Sequence, residues 1–145
     1  MAEANILSQV EDSVMWKETN YVVAQIYDIL SDLPDDEKWQ TTFRLRSAAN
    51  ELLFVVTQAL ANSAPTRTEY EWSSARRAVH ALKTMYRFAG RQKFIKVDPD
   101  IMLALDRIVK GVDKEVLNAY QRTKDFNKQE LGMLQEYAAL RKVGS

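Results

Sequence analysis

Between Ser74 and Lys96 the chain reads SARRAVHALKTMYRFAGRQKFIK. Arg76, His80, Lys83, Arg87 and Arg91 recur in it at intervals of 4, 3, 4 and 4 residues. At about 100° per residue a helix stacks these positions into one stripe, with Arg77 at its edge. Ala75, Ala78, Val79, Leu82, Met85, Tyr86 and Ala89 then form the opposite, apolar side. A row of fixed cations is suited to binding a polyanion, phosphate above all. Beyond Gly90 the segment adds Lys93 and Lys96 beside Phe94. Like charges one helical turn apart repel by roughly 0.2–0.5 kcal/mol per pair, so something negative must answer the stripe. Either acidic residues of neighbouring helices neutralise a solvated face, or the face binds nucleic acid through Arg76, Arg77, His80, Lys83, Arg87, Arg91, Lys93 and Lys96.

Other chemistry finds no residues to support it. Cysteine is absent and His80 is the single histidine, which excludes disulfides, thiolate metal sites, cysteine nucleophiles and histidine relays. A helical-bundle di-metal site needs two Glu-x-x-His pairs, and the residue three before His80 is Arg77. There is no phosphate-cradling glycine loop and no serine-centred elbow. Asp35, Asp36 and Glu37 could bind a hard cation, but in a first helical turn they compensate the helix dipole. No catalytic, metal or cofactor site is therefore expected, and the chain reads as a non-enzyme. Trp16 and Trp39 fall on apolar faces near helix starts, where core packing is expected. Trp72, at the apolar edge of the basic helix, could pack or stack on a base.

The elements that must position the stripe are all helical. The spacing predicts a first helix from Ser13 to Asp32, with Trp16, Val23, Ile26, Tyr27 and Leu30 inward and Val22 and Ile29 widening the arc. Leu33 to Trp39 forms a turn in which Pro34 suits helix entry. A second helix, Asp36 to Ala61, carries Trp39, Phe43, Ala49, Leu52, Leu53, Val56 and Leu60, with Phe54 and Val55 off that stripe. Being apolar around more than half its girth, it is expected in the centre of a bundle or at a subunit interface. Asn62 to Trp72 reads as a loop, broken by Pro65, with Thr68 and Glu71 at capping-box spacing. The basic helix follows, ending near Gly90. Asp98-Pro99 restarts the chain as N-cap and first helical residue. The last long helix runs from Pro99 to Tyr120 with Ile101, Leu105, Ile108, Val109, Val112, Val116 and Tyr120 inward. Gly111 suits a close helix approach. The polar run QRTKDFNKQ then precedes a weaker pattern of Leu131, Leu134, Tyr137, Ala138 and Leu140, read as a short fifth helix or docking tail.

No alternating strand pattern competes. The expected class is all-α, an antiparallel up-down-up-down four-helix bundle with a short C-terminal helical extension. The division is an N-terminal extension over 1–12, a bundle over 13–120 and a C-terminal extension over 121–145. A length of 145 residues, 46% hydrophobic and 28% charged, suits one domain with a real core. No apolar run approaches the roughly 20 residues of a membrane span, and the amino terminus lacks the pattern of a secretory signal, so cytoplasm is expected. Net charge is zero, yet residues 1–65 carry 4 basic and 10 acidic side chains and residues 66–145 carry 16 and 10. That asymmetry suits a basic face, or subunits meeting acidic side to basic side.

Three stretches together resemble a known family. They are Trp16 with VVAQIYDILSDLPDDEKW (Val22 to Trp39), the apolar AANELLFVVTQALA (Ala48 to Ala61), and SSARRAVHALKTMYRFAGRQKFIKVDPDIMLALDRIV (Ser73 to Val109). Their order is similar to the accessory variability determinants (Avd) of diversity-generating retroelements, whose relatives are encoded in intervening sequences of bacterial large-subunit rRNA. The segment ALANSAPTRTE, without glycine, leans toward the retroelement branch. The extension past Tyr120 is longer than either branch implies. The resemblance implies a homo-oligomeric ring, typically a pentamer, with a basic surface that binds nucleic acid, RNA or DNA, and a reverse transcriptase during cDNA synthesis. The alternative it implies is a protein-binding scaffold of the rRNA intervening-sequence type, without a reverse transcriptase partner.

Overall fold

The computed structural model describes residues 8–33, 39–62 and 65–143. Among them the chain is all-helical: a short α1 over 8–12, α2 Val14–Ser31, α3 Trp39–Ala61, α4 Pro65–Arg91 and α5 Pro99–Val143. α2 packs on α3, α3 on α4 and α4 on α5, and α2 also packs on α5, so the long helices close a cycle around one core. The expectations for Pro34, for Asp35, Asp36 and Glu37, for the start of the second helix and for the Trp39 side chain lie outside the described residues.

Each long helix contributes fully buried side chains to that core: Val22 and Ile26 from α2, Leu52 and Val56 from α3, Val79, Leu82 and Tyr86 from α4, and Ile101, Leu105 and Val112 from α5. Each such aliphatic side chain stabilises the fold by roughly 1.5–3 kcal/mol on burial. Polar contacts fix which residues face one another. Trp16 donates its indole N–H to Thr57 Oγ1 at 3.0 Å, and Tyr27 donates to Asn50 at 2.7 Å. Arg107 on α5 pairs with Glu18 on α2. Nearby, Gly111 admits the Met15 methyl, which would lie 2.7 Å from a Cβ at that position; the neighbour is the end of a flexible side chain and not the backbone of another helix.

Helix termini follow local chemistry. The Ser13 hydroxyl accepts from the Trp16 N–H at the start of α2. Asp98 Oδ1 accepts from the Asp100 N–H at 2.9 Å, and Pro99 is the first residue of α5, as its fixed φ predicts. α4 ends in a Schellman arrangement: Phe94 N–H donates to Ala89 O and Lys93 N–H to Gly90 O, both at 3.0 Å. Lys93 itself takes φ 60°, a left-handed backbone with a side chain on it.

Several expectations are overturned. The stretch Asn62 to Trp72 is not one loop, because α4 begins at Pro65. Proline lacks an N–H that the first helical position would leave unpaired anyway. Thr68 and Glu71 therefore lie inside α4, past its first residue. The helix after Pro99 does not stop at Tyr120, and the expected short fifth helix is its continuation. The run after Tyr120 is polar but contains no breaker. Gln121 donates to Asp125 at 3.0 Å one turn on, and Arg122 pairs with Glu115 at 3.6 Å. On α3 the buried stripe includes Leu45, not Phe43, and Phe43 is 56% exposed. Tyr120 is also exposed, and its neighbour Ala119 takes the buried place. Trp72 is buried at 3% exposure, which removes the base-stacking role and leaves packing.

Candidate nucleic-acid interface

The amphipathic division of α4 is nearly complete. Ala75, Ala78, Val79, Leu82, Tyr86 and Ala89 are buried, while Arg76, Arg77, His80, Arg87 and Arg91 are exposed and Lys83 is half-buried. A 27-residue helix spans about 40 Å, so the stripe forms a linear track. Past its end, the buried Tyr86 hydroxyl accepts a 2.8 Å hydrogen bond from the Asp98 N–H. Burial raises the Tyr86 pKa, so the phenol stays protonated and anchors the turn that carries the exposed Lys93 and Lys96.

The cations divide into two groups. Arg76 meets Asp113 at 3.3 Å and Lys83 meets Asp106 at 2.5 Å, so acids of α5 answer those two. The Lys83 hydrogen bond is the main cause that holds the Asp106 carboxyl below its ordinary value, with charge attraction from Lys83, Lys110 and Arg87 adding to it. Arg77 donates to Ser74 Oγ at 3.2 Å and forms no salt bridge among the described residues. His80, Arg87, Arg91, Lys93 and Lys96 have no acidic partner within salt-bridge distance among the described residues. Among the described residues, acids of α5 thus pair directly with Arg76 and Lys83, while Arg87 feels Asp106 only at longer range and Arg91, Lys93 and Lys96 form no salt bridge.

Two shallow grooves run along this face and share His80. One, of about 500 Å³, is lined by Ser73, Arg76, Arg77 and His80. The other, of about 340 Å³, is lined by His80, Lys83, Thr84, Arg87, Phe88 and Arg91. A third, of about 240 Å³, lies on the far side of Phe88 and reaches Arg44 and Met85. No protein-family model, curated protein or solved structure matches the chain.

Thr84, Phe88 and Arg44 escape sequence reasoning. The wheel places Thr84 and Phe88 beside the basic stripe, and an aromatic among cations is a signal that helical spacing alone could have raised. Arg44 joins through the packing of α3 on α4, which periodicity does not reveal. Among the described residues no cluster of acidic or histidine side chains could hold a metal ion, and no helix is long and apolar enough to cross a membrane.

Proposed function

We propose that this protein is a non-catalytic accessory protein that binds nucleic acid along α4 and the α4–α5 turn. The observation that carries the proposal is exposed charge: Arg87, Arg91, Lys93 and Lys96 have no salt-bridge partner among the described residues, and Arg87 and Arg91 line one groove with His80. Each phosphate neutralised there would release counterions, so binding depends on charge and shape before sequence.

The supporting architecture is an up-down-up-down bundle. Arg76 pairs with Asp113 and Lys83 with Asp106, and Met15 lies against Gly111 and Glu18 against Arg107, so partner numbers fall as each first helix advances. Homo-oligomerisation belongs to the same proposal. Phe43 and Phe54 are exposed on α3, and apolar surface on a rigid face marks interfaces. A ring, a pentamer by the resemblance to accessory variability determinants, would repeat the basic track around one axis and add avidity. A reverse transcriptase partner follows from that resemblance alone, and cytoplasmic action from the sequence pattern.

A second reading rests on a specific observation. Asp106 and Asp113 show that carboxylates fit this face, so the track could instead dock on acidic residues of another protein. The double variant Arg87→Glu/Arg91→Glu separates the two. Both positions are exposed and glutamate is nearly as good a helix former, so the fold survives. Binding of RNA and DNA should fall steeply, and the salt-dependence slope by roughly 0.7–0.9 for each phosphate that is no longer neutralised. Lys17→Glu/Lys114→Glu, away from the track, should change little. Equal binding by wild type and Arg87→Glu/Arg91→Glu would leave the scaffold.

A further inference from the structure

The basic track is not uniformly polar. Phe88 sits between Arg87 and Arg91 in sequence, is 50% exposed, and forms the wall shared by two grooves. On one side lie His80, Lys83, Arg87 and Arg91, and on the other Arg44 and Met85. Among the described residues no guanidinium covers its ring, whereas Arg46 lies 5.5 Å from the Tyr27 ring centre and Arg141 5.9 Å from that of Tyr137. Among the described residues the Phe88 ring is therefore left open beside His80, Lys83, Arg87 and Arg91.

We infer that the track takes single-stranded polynucleotide, with Phe88 as a stacking platform for an unpaired base and Arg87 and Arg91 on the flanking phosphates. This deepens the proposed function and rests on it. A duplex has its base faces occupied by neighbouring bases and presents only phosphates and groove edges to a flat surface. An unpaired base offers a π-face, which an aromatic ring accepts whatever the base. Cations one helical turn apart, about 6 Å along α4, supply the charge that follows the strand. Arg44 extends the positive field beyond the ring, so a strand crossing at Phe88 passes from α4 toward α3. The grooves are shallow and open, so the selectivity is for unpaired structure over sequence.

The test measures fluorescence anisotropy with four probes of equal phosphate number: single-stranded U-rich RNA, oligo-dT, duplex RNA and duplex DNA. The wild-type chain is expected to prefer single strands. Phe88→Ala should weaken single-strand binding five-fold or more, leaving duplex affinity and the salt slope unchanged, and Phe88→Tyr should restore it. A response confined to the RNA arm or to the DNA arm supports the inference and identifies the strand. Phe88→Ala weakening single strands and duplexes equally, or neither, overturns the stacking role. In that case Arg87→Glu/Arg91→Glu still abolishes binding, and the nucleic-acid reading stands. No binding of any probe by the wild-type chain overturns both.

Discussion

Lys83 on α4 donates a 2.5 Å hydrogen bond to the Asp106 carboxylate on α5, so one cation of the basic track is tied to the bundle. The pair sets a pH dependence. Asp106 titrates below its ordinary 3.8 in the folded chain because Lys83 stabilises its charged form. A depressed carboxyl contributes stability above the unfolded value, and that contribution is lost as pH falls through the folded one. Urea unfolding of wild type and Asp106→Asn should therefore differ at pH 7 and converge in acid below about pH 4. The gap at pH 7 should be small, about 0.5 kcal/mol, because Asp106 is 46% exposed. Removing the carboxylate also frees Lys83, so nucleic-acid affinity should rise. A gap that widens toward acid would contradict the pairing.

Lys93 ends α4 in the left-handed conformation that helix C-termini ordinarily assign to glycine. A side chain there costs roughly 1 kcal/mol, which the Schellman hydrogen bonds of Lys93 and Phe94 offset. Lys93→Gly should raise stability by about 0.5–1 kcal/mol. It should simultaneously weaken nucleic-acid binding and lower its salt slope, since the track then has one exposed cation fewer. Denaturation and binding curves of one variant check both halves. Unchanged binding would exclude Lys93 from the interface.

Gly90 and Gly111 both sit inside helices, yet substitution should act on them oppositely. A Cβ at Gly90 would collide with the Val97 side chain, whose β-branched χ1 is stiff. Gly90→Ala should therefore cost about 1–3 kcal/mol, partly recovered by adding Val97→Ala. At Gly111 the neighbour is the terminal methyl of Met15, which can swing aside. Gly111→Ala should be neutral, or stabilising by up to about 1 kcal/mol through helix propensity. Thermal unfolding of the three variants checks the contrast.

The sequence revealed what repeats at helical spacing. The buried side of α4, the Asp98-Pro99 restart and the aliphatic face of α5 up to Val112 were legible because each rests on periodicity or on proline geometry. Phe43 was misplaced because a strongly apolar helix offers more than one stripe, and only packing against α2 and α4 selects Leu45. The start of α4 was missed because proline both ends and opens helices. The continuation of α5 past Tyr120 was missed because polar residues can hold a helix by propensity and one-turn pairs without burying anything. At the candidate site, the cations of α4 were legible, whereas which of them form salt bridges was not. Asp106 and Asp113 reach Lys83 and Arg76 only through the packing of α5.

Association should depend on α3 and not on the far end of α5. Among the described residues no core side chain lies beyond Ala119, and Leu131, Leu134, Tyr137 and Leu140 are exposed on a helix that has left the bundle. That part of α5 is held by helix propensity and pairs along its own surface and not by packing, so docking through it would have to fix its position as well. Phe43 and Phe54, by contrast, project from α3 within the bundle, where burial requires little further ordering. Deleting residues 121–145 should therefore lower helicity while leaving one cooperative unfolding transition of nearly unchanged midpoint. Light scattering should give a mass several times 16.7 kDa for the full chain and the same number of subunits for the truncated one. Phe43→Ser/Phe54→Ser should dissociate both, because it removes the two large apolar side chains that α3 exposes. Assembly lost on truncation but retained by the double serine variant would move the interface to the end of α5. A full-length monomer would remove the ring and the avidity that depends on it.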